Sequence, residues 1–174
     1  YFHAGPTALN LAIPPGDRNA EVVSEITFGE DAKLTYAQPH MHLRGKDFEL
    51  RVVTPDQQSQ TVLKGTWNFD WQMGYQYAEA IPLPKGTKLQ FITHFDNSAA
   101  NRSNPSKPPV RVQWGPISTD EMGAVWLEVV PKRPEDVVPL ARDYSVRALR
   151  ADTAAAELRL RSGPPTAITL NAVA

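Results

Sequence analysis

The chain is expected to fold as a mainly β protein, an antiparallel jelly-roll β-sandwich with a short C-terminal helical tail. Three features predict this. Short apolar runs recur up to about Val130, many of them alternating apolar with polar residues as half-buried strands do. Sixteen prolines and ten glycines fall mostly between those runs, where they break strands and build turns. Beyond Pro131 the texture changes to segments rich in Ala, Leu and Arg at helical spacing. A chain of 174 residues can bury a real core, and two regions are expected: a sandwich over 1–130 and a helical C-terminal extension over 131–174.

Eight strands are predicted, over residues 21–28, 33–42, 48–54, 60–63, 75–81, 87–95, 110–114 and 123–130. Leu50 and Val52 alternate with Glu49 and Arg51, and Leu89 and Phe91 with Lys88 and Gln90, so each run has one face for a core. Pro14-Pro15-Gly16-Asp17, Thr54-Pro55-Asp56 and Leu83-Pro84-Lys85-Gly86 are turn signals, and residues 96–109 form a long polar loop. Trp67, Phe69, Trp71, Tyr75 and Tyr77 alternate strictly, which reads as one face of a sandwich or the lining of an apolar cleft. Pro134-Glu135-Asp136 begins a helix with acids at its positive end, and Gly163-Pro164-Pro165 ends the helical stretch. The tail is expected to pack on the sandwich or on a second copy of the chain.

Composition excludes several functions. Eighteen basic residues balance nineteen acidic ones, so nothing points to nucleic acid or an anionic membrane surface. No apolar run approaches the roughly 20 residues of a membrane span. Cysteine is absent, which removes disulfides, thiolate metal sites and cysteine nucleophiles. Phosphate-loop, dinucleotide-binding, His-Glu-x-x-His and Gly-x-Ser-x-Gly motifs are missing as well. A start at Tyr1 suggests a mature product or a fragment, with any signal peptide already removed.

The chemistry concentrates in Pro39-His40-Met41-His42-Leu43-Arg44-Gly45. Residues two apart on a strand share a face, so His40 and His42 would point the same way and Met41 the other. Two neutral imidazoles on one face suit copper, zinc, iron or nickel, although such a pair also occurs simply for packing. Far along the chain, Thr119-Asp120-Glu121-Met122 opens an apolar strand and carries a thioether. Asp120 and Glu121 are expected to organise the start of that strand or to orient an imidazole. Arg44 would meet an anion or, as expected here, pair with an acid. His3 is expected on the surface near the chain start.

These motifs together resemble a known family. Ile13-Pro14-Pro15-Gly16, the His40-x-His42 run with Gly45-Lys46 behind it, His94-Phe95-Asp96-Asn97-Ser98, Trp114-Gly115 and Asp120-Glu121-Met122 stand in its order. The family is that of the copper type II, ascorbate-dependent monooxygenases, which includes peptidylglycine α-hydroxylating monooxygenase, and the resembling part is its C-terminal catalytic domain, in bacterial form. It covers about residues 11–130. The resemblance implies a jelly-roll domain holding one copper ion through His40, His42 and Met122, with room for dioxygen. It also implies ascorbate or another reductant, and a periplasmic or extracellular location.

The chain departs from the family at three places. The family's second copper needs three His from a preceding domain, and this chain has four His in all. Electrons would therefore come from another domain or subunit. The peptide-amidating member clamps a carboxylate with an Arg two residues before the first His, where this chain has Gln38, and uses an Asn and a Tyr at the positions of Ala124 and Trp126. Peptide amidation is not expected. A disulfide in the family aligns with Gly123 and Thr93. If those two faced each other across adjacent strands, His94 would share a face with Met122 and serve as a third ligand or as a group behind the ligands. Otherwise His94 would bond the following loop. Two functions stay open: a mononuclear copper domain of a monooxygenase-like protein, and a non-catalytic metal-binding sandwich acting as a structural or assembly subunit through its tail.

Overall fold

The structure is a computed structural model that describes the backbone of residues 2–144 and the side chains of residues 5–144. Its strands are β1 (Phe2–Ala4), β2 (Ala12–Ile13), β3 (Ala20–Thr27), β4 (Ala32–Met41), β5 (Gly45–Val53), β6 (Ser59–Thr66), β7 (Tyr75–Leu83), β8 (Lys88–Phe95), β9 (Val112–Gln113) and β10 (Gly123–Pro131). One sheet has the order β1-β10-β4-β7, the other β3-β8-β5-β6, and β2 pairs with β9 in a small third sheet. All ladders between strands are antiparallel. The chain passes back and forth between the two large sheets, giving a jelly-roll type sandwich.

The core lies between the sheets and follows the predicted alternation. Phe48, Leu50 and Val52 of β5 and Leu89, Phe91 and Phe95 of β8 point inward from one side. Leu34, Ala37 and Met41 of β4 and Val125, Leu127 and Val129 of β10 meet them from the other. Phe48 and Phe91 pack with ring centroids 6.2 Å apart. Burying side chains of this size is worth about 1.5–3 kcal/mol each, which makes this layer the main source of stability.

A bulge in β4 decides which way its histidines face. Tyr36 pairs with Glu128 and Leu34 with Val129, so Thr35 is an extra residue with no partner of its own. Its hydroxyl donates to the Glu128 carbonyl at 3.2 Å. Before the bulge, Ala32 and Leu34 are buried; after it, Ala37, Pro39 and Met41 are. One inserted residue thus turns the even positions outward, and His40 leaves the core face.

All eight predicted strands are present, with shifted ends. The run at 110–114 contracts to Val112–Gln113, and 60–63 extends to Ser59–Thr66. Two short strands, β1 and β2, join them. The aromatic alternation at 67–77 is not one strand face: residues 67–74 lie outside the strands, and Trp71 is 68% exposed. Pro134–Asp136 form a 3-10 turn leading into helical residues 137–144. Arg133 donates twice to Asp136, at 2.9 and 2.7 Å, and Leu140 is buried in the core. The Tyr144 hydroxyl donates to the Gly5 carbonyl at 3.2 Å, tying this turn of helix to the sandwich. The predicted second helix and the apolar end lie outside the described residues. No helix among the described residues is long and apolar enough to cross a membrane.

The second sheet carries a charge cluster with a testable pH signature. Arg51 donates to Glu49 at 2.5 and 3.0 Å, and Thr61 donates to it at 2.6 Å. The Arg51 hydrogen bonds, chiefly, hold the Glu49 carboxyl down at about 2. A depressed carboxyl stabilises the fold above its unfolded value, and that contribution is lost as pH falls through about 2. Glu49→Gln is therefore expected to lower the urea midpoint at pH 7. Its deficit against the wild type should shrink as pH drops from about 4.5 towards 2, because only the wild type has this term to lose. A constant deficit across that range would contradict the assignment.

Candidate metal centre

The end of the β4-β10 ladder brings His40 and His42 next to the segment that carries Met122. Ala124 pairs with His40 and Gly123 with Met41, the last pair of the ladder. His42 and Met122 are the residues next to that pair, one on each segment, and the Glu121 carboxylate accepts the backbone N–H of both. Paired residues share a face, so His40 and Ala124 lie on the outer side of the β10-β4 sheet. Met41 points the other way into the core, where it is fully buried, and Met73 is exposed.

The two imidazoles are close and differently held. Their ring centroids are 5.1 Å apart, with the planes at 88°. His40 is flanked by Trp126, at 4.8 Å between centroids, and by Trp67 at 6.2 Å. Both walls come from outside β4, Trp126 from β10 and Trp67 from the start of the 67–74 loop. Trp67 also donates its indole N–H to the His42 carbonyl at 3.0 Å. Gly45 makes that approach feasible, because a Cβ there would stand 2.5 Å from the Trp67 ring. Gln72, from the same loop, meets His40 Nδ1 with its amide oxygen at 2.7 Å and donates from Nε2 to the Phe69 carbonyl at 3.0 Å. The second bond fixes the amide's orientation, so His40 Nδ1 carries the proton and Nε2 keeps the lone pair.

His42 is only 4% exposed, and its Nδ1 is buried with no hydrogen-bond partner among the described residues. Burial pulls both imidazoles down from their ordinary range. For His40 the Gln72 bond opposes this. For His42 the charge of His40 adds to it, while the Asp120 and Ile117 backbones and the Asp120 charge oppose it. Both rings are therefore neutral at pH 7, the form that ligates metals.

Glu121 locks the segment of His42 and Arg44 to that of Met122. Its carboxylate accepts the backbone N–H of Arg44 at 2.6 Å, of His42 at 2.9 Å and of Met122 at 3.3 Å. The side chain is fully buried, and burial pushes its carboxyl up to about 7 against the opposing pull of these bonds and the nearby Arg44 charge. It thus organises the start of β10, as expected, through backbone donors.

Among the described residues Arg44 forms no ion pair with an acid. Its guanidinium donates to Asn97, Asn104 and Ser106 side chains and to the Thr119 carbonyl. It ties the long polar loop to the segment that precedes Met122.

The premise about His94 is corrected. Thr93 and Gly123 do face each other, with Thr93 Oγ1 3.0 Å from where a Gly123 Cβ would stand, but across the two sheets and not on adjacent strands. Thr93 is buried in the interior, so His94 points out from the opposite face of the sandwich, away from His40. There it contacts Asp47 at 2.6 Å and Glu21 at 3.3 Å, its cross-strand neighbours, rather than the following loop. The side chain of His3 lies outside the described ones.

No family model matches the chain, and no curated protein matches it. One solved structure it resembles is that of the infectious bursal disease virus Gx strain, at 6% identity and a TM-score of 0.29. That likeness covers 77% of this chain and 34% of the viral one.

The residues present fit a soft metal ion. An orphaned, buried imidazole nitrogen lies beside a second imidazole held in one tautomer, and a half-buried thioether follows at the end of the same ladder. Among the described residues no group of three or more His, Cys, Asp and Glu is placed to hold a metal, so the set depends on the thioether as well as the rings. Gln72 carries no signal in the sequence, since a residue 32 positions beyond His40 reaches it only through the tertiary fold, and Trp67 shows there only as part of the aromatic alternation. Gln72→Ala is expected to weaken copper binding about 10- to 100-fold with the fold intact. Competition with a Cu(I) chelator measures it, and unchanged affinity would remove Gln72 from the site.

Proposed function

We propose that this chain is a mononuclear copper-binding domain of a monooxygenase-like protein, with His40, His42 and Met122 as the ligands. The observation that supports this reading is the close pairing of the two imidazoles, 5.1 Å between centroids, beside the end of the β4-β10 ladder that Met122 immediately precedes. When bound, Cu(I) would supply dioxygen activation for hydroxylation, drawing electrons from ascorbate or another reductant through a further domain or subunit. The thioether favours the reduced ion, which hard carboxylate ligands would not.

The chain's own residues prepare the site. Gln72 orients His40, Glu121 fixes the spacing between His42 and Met122, and Trp67 and Trp126 wall His40 from solvent. Trp126 is itself 45% exposed, so the face remains open on that side to a reacting molecule. The alternative, a metal-binding sandwich that serves structure or assembly, draws on the helical residues 137–144 that dock against the body of the fold.

Metal content of the purified chain, followed by ascorbate-dependent oxygen uptake with and without an added electron donor, separates these readings. One copper per chain and donor-dependent uptake are expected. Copper with no uptake under any donor would favour the structural reading, and zinc or no metal would overturn the copper assignment.

A further inference from the structure

A concave site lies against Thr119 and Asp120, in the segment that leads to Met122. It is a pocket of about 360 Å³ lined by Arg44, Ser106, Val110, Arg111, Gln113 and Asp120, among others. Two arginines and one aspartate line it, and the buried Glu121 acts on the Arg44 charge from behind the wall. Among the described residues neither Arg44 nor Arg111 forms an ion pair, although Asp120 lines the same pocket.

Arg44 is the unusual member, for it is 0% exposed. A buried cation is costly unless charge or hydrogen bonds compensate it. Its Nε bonds Asn97 and Asn104 oxygens at 3.1 Å each, Nη1 the Thr119 carbonyl at 2.9 Å and Nη2 the Ser106 hydroxyl at 3.3 Å. All four acceptors are neutral, and Glu121 takes only the Arg44 backbone N–H. A guanidinium has five N–H bonds, so one on each terminal nitrogen has no partner among the described residues. The longest of the four contacts, to Ser106, is at the pocket wall, where a hydroxyl can turn aside.

We propose that this pocket binds a small oxyanion, a carboxylate or phosphate group, between Arg111 and the Nη2 edge of Arg44. The anion takes the place of the Ser106 hydroxyl on Nη2 and gives the guanidinium a charged acceptor, which its four neutral ones are not. The Ser106 hydroxyl, released, and the Thr119 hydroxyl offer further donors, while Val110 and Val112 form an apolar wall for whatever carries the anionic group. This site stands independently of the copper reading.

The test is calorimetric titration of the full, metal-free chain with inorganic phosphate and, separately, acetate, at ionic strength fixed with chloride. Saturable binding with one site per chain is expected for at least one of them; phosphate alone points to a phosphoryl group and acetate alone to a carboxylate. Arg111→Gln, at an exposed position that should leave the fold intact, is expected to weaken it at least about tenfold, and Arg44→Lys, which cannot offer the fork, by as much or more. Should Arg44→Lys fail to fold, Arg111→Gln decides alone. No saturable response beyond the chloride control would overturn the proposal. Equal binding by Arg111→Gln would do the same and mean an adventitious ion only.

Discussion

Glu121→Ala is expected to destabilise the protein by about 3–5 kcal/mol, among the largest effects of any single substitution here. The reason is the donors it strands. Three backbone N–H groups, of His42, Arg44 and Met122, point at one buried carboxylate and would all lose their acceptor. Each buried donor left unmade costs about 1–3 kcal/mol, and water entering the space recovers part of that. The charge itself is not the source of the stability, since burial pushes this carboxyl up to about 7 and so disfavours its ionised form. Glu121→Gln keeps the shape and one acceptor but turns an amide donor towards backbone donors, so a smaller loss of about 1–3 kcal/mol is expected. Urea unfolding of the three proteins checks this order. A loss under about 1 kcal/mol for Glu121→Ala would mean that the carboxylate does not hold the two segments together.

His42→Ala and His40→Ala are each expected to weaken copper binding more than about 100-fold, beyond the range that loss of an outer hydrogen-bonding partner produces. Their effects on the fold should differ. His42 is buried with an unpartnered ring nitrogen, so removing it relieves one unmet polar atom while opening a small cavity. His40 is half-buried against Trp126 and bonds Gln72, so its loss frees the 67–74 loop at little cost to the core. Copper competition paired with thermal melts of the metal-free proteins separates ligand loss from unfolding. A variant that melts as the wild type and still binds copper as tightly would exclude that residue as a ligand.

Much of the sandwich is legible in the sequence because its strands alternate. Leu50 and Val52, or Leu89 and Phe91, show their core face at a glance, and the turns between them carry Pro and Gly. The short pieces are not legible, since Phe2–Ala4 and Ala12–Ile13 hold too few residues for any period to show. β6 is longer than expected because its outer half is polar edge strand, stabilised by pairing with β5 rather than by burial. The aromatic residues from 67 to 77 mislead by imitating a strand while most of them belong to a loop that closes over His40.

The candidate site divides in the same way. The His-x-His spacing states that two rings share a face, but the sequence cannot say which face, because the Thr35 bulge shifts the phase of β4 ahead of them. Thr93 and Gly123 are near neighbours, yet the step from nearness to adjacent strands fails, since a sandwich also brings residues together across its core. That is why His94 lies on the opposite side with Asp47 and Glu21. Glu121, adjacent to Met122, was within reach of local reasoning; Gln72 and the guanidinium contacts of Arg44 depend on loops whose return no local pattern encodes.

The most direct measurement is X-ray absorption at the copper edge on the copper-loaded chain after ascorbate reduction. Two imidazole nitrogens near about 2 Å, together with one sulfur scatterer that disappears in Met122→Ala, are the predicted result. A first shell of nitrogen and oxygen alone, unchanged by that substitution, would contradict the assignment of His40, His42 and Met122 as the copper ligands.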